Sequence, residues 1–584
     1  MKIFYLLIFL VSCYSVLGQA PYTKNQTYTY DQLQDEYRIL EQNNPRYCKL
    51  IQFGKSDFGK NIQLFIINKD GKFKKEEFGK KTVLLINNAI HPGEPCGVDA
   101  SVKLAQELLD NPKNIPDSVI IGIIPMYNVG GAHNRNCCSR ANQNGPEEYG
   151  FRGNAKNLDL NRDYIKADTK NTRTFYKIFH YLNPHVFIDT HTSDGADYQY
   201  TMTLITSQID KMHPLLGNMV KKQMNPVLYD EMKKSNWEMI PYVHGIRGTP
   251  DDGIKDFLET PRFSTGYTNL FNTLSFVSEA HMLKKYEDRV LSTYSLLKVM
   301  IKYMDDNSYK LYKLKEEADK QTAQMEYMPI NWELDTTKFD MLQFKGYEAE
   351  YSKSEITGQR KLHYNQDKPY DKEIRYFNRY AVIDSVKRPT YYIIPQAWLD
   401  VIVRLQLNDI KMYQTTEDLE LETEVYYIDD YTTVSHPYEG HYLHRNTTVS
   451  KQIQTMTIHK GDYVVPTNNA NAQFIVQTLE PHAVDSYFAW NYFDEILQQK
   501  EWFSAYIFEE TAKQMLADNP ELKKQFEAKK KADEEFANDA FSQLYYLYKL
   551  SDNYERTYNR YPIYRYMKPL KEKDIEDARL IICG

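Results

Sequence analysis

Between about Lys24 and Met304, short apolar runs alternate with stretches whose apolar residues recur at helical spacing. His185–Thr190 and Thr273–Ser278 are strand-like, and Val83–Asn87 and Ser118–Pro125 are nearly unbroken apolar runs. These two runs read as central strands buried on both faces. Lys49–Phe53 and Asn61–Asn68 read as further strands. Leu33–Leu40, Ala100–Asp110 and Lys284–Met304 read as helices, as does the segment holding Phe175, Ile178, Phe179 and Leu182. Asn111-Pro112 stops the second of these. Such alternation predicts an α/β fold: a mixed, mostly parallel sheet with helices on both faces, binding ligands beyond the carboxyl ends of its strands.

The pattern then changes. Lys310–Gln324 is polar, charged and helical in spacing. Tyr391–Pro395, Glu424–Ile428, Gly440–Ser450 and Ile453–His459 alternate or are rich in β-formers, with a turn at Lys460-Gly461-Asp462. From Ala489 to about Leu550 helical spacing returns, including the charged run Lys529–Glu535, read as a solvated helix face. The expected organisation is a signal segment over 1–18, a catalytic domain over 19–305 and a helical connector over 306–328. A β-rich accessory domain follows over 329–488, then a mainly helical segment over 489–584.

Composition narrows the function classes. A net charge of −7 over 584 residues gives no reason to expect a nucleic-acid partner. The amino terminus carries one charge, Lys2, then apolar Ile3–Val11, with small residues Val16 and Gly18 before a cleavage point at about Gly18/Gln19. This is the pattern of a removable export signal, too short to span a bilayer. Leu10-Val11-Ser12-Cys13 offers a rival reading as a lipoprotein anchor through Cys13. The mature chain is therefore expected to be secreted, periplasmic or surface-bound, with no integral membrane segment. Removing the signal leaves five of six Cys, no disulfide framework but room for one or two bridges.

Four pieces carry candidate chemistry. His91-Pro92-Gly93-Glu94 follows the buried run Val83–Asn87, so two good zinc ligands share one tight turn. His191 ends the run His185–Thr190. Asn161-Arg162 offers fixed forks of donors for a carboxylate. Glu279 ends an apolar strand, where desolvation should raise its pKa toward that of a general base. Each piece has a plainer reading: a chance His-x-x-Glu, a satisfied strand-end His, a structural Arg–Asp pair, a strand-end salt bridge. A second His-x-x-Glu does occur, at His436–Glu439 near His441 and His444, where no suitable base follows; surface or core histidines are expected there.

Together and in this order, the four pieces over about residues 24–305 resemble the zinc metallocarboxypeptidase family of the carboxypeptidase A and B type. Pro125-Met126-Tyr127-Asn128-Val129-Gly130-Gly131 resembles a further segment of that family. The whole chain also resembles large exported members from Bacteroidetes-type bacteria.

The resemblance implies one zinc per chain on His91, Glu94 and His191, with Asp159 orienting His91. Asn161 and Arg162 would bind the free C-terminal carboxylate of a peptide or protein. Arg140 would polarise the scissile carbonyl, with Arg135 and Arg152 as rivals, and Glu279 would serve as base. A substrate-capping Tyr is also implied. The family's spacing falls near Phe257, which leaves Tyr267 as the nearest candidate. The loop Gly248–Thr268 does not fix the preferred side chain: Asp251, Asp252 and Asp256 hint at basic residues, but ordinary loop turns are the favoured reading. A related zinc amidase, on murein peptides or acyl-amino acids, and a non-catalytic binding protein of the same fold are the alternatives.

Overall fold

The computed structural model describes residues 19–578. The expected signal segment, Cys13 and Cys583 lie outside them. The chain packs as two units. The first holds the described residues through Glu259, Phe263–Ala318 and Leu334–Ala381; the second holds Thr260–Arg262, Asp319–Glu333 and the described residues from Val382 onward.

The first unit is built on a mixed eight-stranded sheet. Its strands are β1 (Cys48–Lys55), β2 (Asn61–Ile67), β3 (Thr82–Asn88), β4 (Val119–Ile124), β5 (Val186–Ser193), β6 (Met202–Thr206) and β7 (Met239–Pro241). Two short strands outside that sheet, β8 (His244–Gly245) and β9 (Ile254–Lys255), come before β10 (Leu274–His281), which completes it. The order is β1-β2-β4-β3-β5-β10-β6-β7. The central strands β4, β3, β5 and β10 pair in parallel. The alternation of apolar runs and helices had implied this arrangement. β3, β4 and β5 are buried along their whole length, as strands covered on both faces must be.

Adjacent residues of β5 show the two faces. Thr190 meets the helix Cys96–Asp110, where a side chain at Gly97 would lie 1.9 Å from the Thr190 hydroxyl. Only glycine lets that helix start so close to the sheet. Asp189 points the opposite way and accepts from Ser264 of the helix Ser264–Asn269. Chain order reverses at β3, with β4 on one side and β5 on the other, so the carboxyl ends of β3 and β5 border a crevice.

The expected boundaries need three corrections. First, the segment Leu334–Ala381 belongs to the first unit rather than to an accessory domain. It forms a long hairpin, Asp340–Lys353 against Arg360–Phe377, whose end pairs with β9. Its base is apolar: Phe344 and Ile374 pack with Tyr198, Tyr200, Ile240 and Ile254. Second, the expected connector is divided between the units at Ala318. Its helix, Ser308–Thr322, begins in the first unit, where Ser308 bonds the Ser118 carbonyl. Third, the mainly helical C-terminal segment also gives a strand to the second unit. Tyr564–Tyr566 sits inside the second unit's seven-stranded sheet, between Leu419–Thr433 and Tyr391–Ile394. Arg565 explains its place: buried, it pairs with Glu424 and with Glu480, at 2.9 Å for the latter. The intervening helices, Ala505–Lys549, form their own small core around Phe508, Phe526, Phe536 and Leu547.

Candidate metal centre

β3 ends at Asn88, and the next residues make the turn His91–Glu94, closed by a 2.8 Å bond from the Glu94 amide to the His91 carbonyl. Asn128 holds the turn from behind, donating to the Ile90 carbonyl at 3.0 Å. The turn points Glu94 toward His191 at the end of β5. His91 Nδ1 lies 3.1 Å from Glu94 Oε1, and His191 Nδ1 lies 2.9 Å from Glu94 Oε2. One ligand atom from each of the three side chains falls within 4.8 Å of the others, and all three residues are buried.

The remaining ring nitrogens face carboxylates as well. His91 Nε2 is 2.9 Å from Asp159 Oδ1, and His191 Nε2 is 3.1 Å from Asp189 Oδ2. Glu94 faces both Nδ1 atoms as an acceptor too, so the tautomer is set when a cation takes the Nδ1 side: each Nε2 then keeps its proton for the carboxylate behind it and each Nδ1 turns a lone pair inward. Two imidazole nitrogens and a carboxylate, with both rings oriented by carboxylates behind them, are a donor set that fits zinc. His436, Glu439, His441 and His444 form no such group. Among the described residues the His91–Glu94–His191 cluster is the one found, and His444 is taken up by Thr433 and Asp494.

The electrostatics are those of a buried charged cluster. Burial opposes charge on Glu94, but His91, Arg140 and the hydrogen bonds from both imidazoles outweigh it and hold the carboxyl well below its ordinary value. Burial likewise opposes charge on His191, yet Asp189 and Glu94 raise it well above the usual imidazole range. A dication at His191 Nδ1 competes with a proton for the same lone pair. Asp159 is held well below its usual value, because His91, Arg152 and Arg162 together outweigh its burial.

Glu279 lies directly opposite His191 in the β5–β10 register. Burial raises its carboxyl to about 8, Glu94 and Asp189 adding to the rise while His191 and Arg152 oppose it. A nearby cation would act in the lowering direction.

These groups line one cavity of about 340 Å³. Arg140, Arg152, Asn161 and Arg162 share it with the His–Glu–His group and Glu279. Arg140 donates to Glu94 Oε1 at 2.8 Å, and Gly93, where any side chain would collide with it, lets it lie across the turn. Arg152 approaches the same oxygen at 3.7 Å while paired to Asp159 at 2.8 Å. Arg135 is elsewhere, donating to the carbonyls of Tyr28 and Glu148. Arg162 lies over the Phe263 ring, 4.4 Å from its centre, and Asn161 Oδ1 accepts from the Ser264 amide at 3.1 Å.

Tyr267 is the expectation that fails. It is fully buried, stacked on Tyr176 at 4.9 Å and hydrogen-bonded to His180, away from the cavity. Its helix turns it into an aromatic core with Tyr164, Phe175 and Phe179. The tyrosine that does line the cavity is Tyr242, just after β7. Two further residues were missed. Asp189 could have been found, because on a strand it shares a face with His191 two positions on. Phe263, beside Arg162, gave no signal in the sequence. Cys137 and Cys138, two residues before Arg140, form a disulfide with each other.

Residues 34–224 match the family model described as zinc carboxypeptidase. The chain contains a zinc carboxypeptidase domain. It is therefore a hydrolase of the metallocarboxypeptidase type, from a zinc-dependent family. The match takes in His91, Glu94, Arg140, Asp159, Arg162 and His191; Glu279 lies beyond it and is brought in by β10. Carboxypeptidase 2 of Trichophyton tonsurans is 22% identical over 457 residues, covering 74% of this chain and 78% of that protein. A probable carboxypeptidase 2 of Arthroderma benhamiae is 22% identical over 463 residues, covering 74% and 79%. Among solved structures, a metallo-carboxypeptidase from Burkholderia cenocepacia is 16% identical, with a TM-score of 0.36, and covers 48% of this chain and 70% of that one. Carboxypeptidase A from Helicoverpa armigera is 12% identical, with a TM-score of 0.36, and covers 50% and 74%. No helix among the described residues is long and apolar enough to cross a membrane.

Proposed function

We propose that this protein is an exported zinc metallocarboxypeptidase that removes the C-terminal residue of peptides or proteins. The observation that carries the reading is the convergence of two imidazole Nδ1 atoms and a carboxylate, with Glu279 in register beside them and guanidinium groups in the same cavity. Export rests on the amino-terminal pattern from Lys2 to Gly18.

In this reading His91, Glu94 and His191 hold one zinc per chain. When bound, zinc supplies Lewis acidity at the scissile carbonyl and brings the pKa of water to about 7. The rest is done by side chains of this chain. Arg162, braced on Phe263, and Asn161 take the terminal carboxylate through charge-assisted hydrogen bonds and set the register of the peptide. Arg140 meets the negative charge that grows on the carbonyl oxygen, and Arg152 reinforces the positive field. Glu279 takes a proton from the attacking water and delivers it to the leaving nitrogen.

The cavity also bears on the preferred side chain. Its apolar lining comes from Ile205, Phe257, Phe263 and Val277. Asp251, Asp252 and Asp256 do not line it: Asp251 pairs with Lys372, and Asp256 accepts from Gln208 and its own neighbour's amide. These side chains suit an apolar C-terminal residue; Asp194, which also lines the cavity, is the acidic group available to a basic one.

The carboxylates behind the imidazoles provide a test that does not depend on turnover. Asp159→Asn and Asp189→Asn should each weaken zinc binding by about 10- to 100-fold, because each removes the negative charge behind a ligand imidazole and puts an amide donor in reach of its Nε2. Competition against a chelator reads this directly, and unchanged affinity in both variants would contradict the assigned ligand atoms.

A further inference from the structure

We propose that the hairpin Asp340–Phe377, with the chain through Tyr380, selects the substrate's C-terminal side chain by fixing Phe257 in the cavity wall. The inference rests on the carboxypeptidase reading above.

The hairpin is anchored at its base and nowhere interrupts the catalytic residues. Tyr376 and Phe377 pair in parallel with Ile254 and Lys255 of β9. Gly253, at φ 107°, lets the chain enter β9 past the Arg375 carbonyl, which a side chain there would approach to 3.0 Å. The residue just before Phe257 is then held through every polar group it has. The Asp256 amide donates to the Phe377 carbonyl at 2.9 Å, and the Tyr380 hydroxyl donates to the Asp256 carbonyl at 3.0 Å. The Asp256 carboxylate accepts from the Phe257 amide at 3.1 Å, from Gln208 Nε2 at 3.3 Å and from the Tyr376 hydroxyl. Gln208 Nε2 donates in turn to the Asn378 carbonyl at 3.2 Å.

This bracing ends at the cavity. The Phe257 ring packs edge-on against Phe263 at 5.2 Å, and Phe263 carries Arg162 over its face. A substrate anchored by its carboxylate at Arg162 presents its last side chain to this aromatic wall. A large side chain reaches the wall and depends on where it stands. A methyl group does not. The hairpin should therefore govern discrimination among C-terminal residues rather than the hydrolytic step.

The measurement is the ratio of kcat/KM for two free-acid peptides that differ only in a terminal Phe or Ala. Tyr376→Phe and Tyr380→Phe each delete one hydroxyl and keep the ring. Each should lower the ratio by about five- to ten-fold, chiefly through KM for the Phe-ending peptide, the size expected for a hydrogen bond lost at a braced site. Phe257→Ala should lower the ratio further, by about 10- to 100-fold. Adding Tyr380→Phe to Phe257→Ala should then change it no more, since the phenol acts only through Phe257. A purely structural role would lower both activities together and leave the ratio unmoved. The single hydroxyl deletions keep the test readable if the double change does not fold. An unchanged ratio in Tyr376→Phe and Tyr380→Phe, with zinc content and melting temperature preserved, would overturn the proposal. So would a further fall of the ratio on the Phe257→Ala background. A wild-type enzyme inactive on both peptides would instead remove the carboxypeptidase reading, and the hairpin's role with it.

Discussion

Glu279→Gln should lower kcat by about a thousand-fold while the protein keeps its zinc, within the 10²- to 10⁴-fold range of general acid–base catalysis. The substitution preserves the volume of the side chain and its place on β10 opposite His191. It removes the ability to take a proton. Because Glu279 is not one of the three side chains that converge as ligands, the metal content should not change. KM should change little, since the proposed site for the terminal carboxylate, Asn161 and Arg162, is untouched. Steady-state kinetics with metal analysis of the same preparation checks both halves. Activity within ten-fold of wild type would place the base on another residue. Zinc lost along with activity would make Glu279 part of the metal site rather than the proton carrier.

Arg162→Ala should cost about 100- to 1000-fold in kcat/KM on free-acid peptides, the loss expected when one partner of an enclosed, hydrogen-bonded charge pair is removed. The guanidinium is mostly enclosed, with 22% of the side chain exposed, so water replaces it poorly. Wild-type enzyme should correspondingly turn over C-terminally amidated peptides slowly, and Arg162→Ala should cost little on them, because the charge it answers is absent. The two losses should not add. Equal turnover of amidated and free-acid peptides by wild type would favour the related amidase, which uses the same metal and base without needing a terminal carboxylate.

The part of this architecture that was legible in the sequence is the part whose physics is local. Val83–Asn87 and Ser118–Pro125 are apolar enough to be strands buried on both faces, His185–Thr190 and Thr273–Ser278 are strand-like, and strand ends mark where chemistry can sit. The same reading sets His91, His191 and Glu279 at or just past strand ends, and the pairing of β3 with β5 and of β5 with β10 makes those ends neighbours. The long hairpin was not legible, because most of its residues face water and only a few, such as Phe344 and Ile374, are buried. Its sheet pairing to the first unit runs through β9, a strand of two residues that no periodicity can announce. Tyr267 failed for a related reason. Sequence distance brought it near the expected place, but helical phase decides which way it points, and Ser264–Asn269 points it into the core. Arg140 and Arg152 could not be separated by spacing, and the structure explains why: both reach Glu94 from the same loop.

The central claim is that His91, Glu94 and His191 grip one divalent ion, and zinc content by mass spectrometry of purified, dialysed protein tests it most directly. Wild type and Glu279→Gln should each carry one zinc per chain, and His191→Ala should carry almost none. Stoichiometric zinc retained by His191→Ala, or a wild-type protein that takes up no zinc when it is supplied in excess, would contradict it.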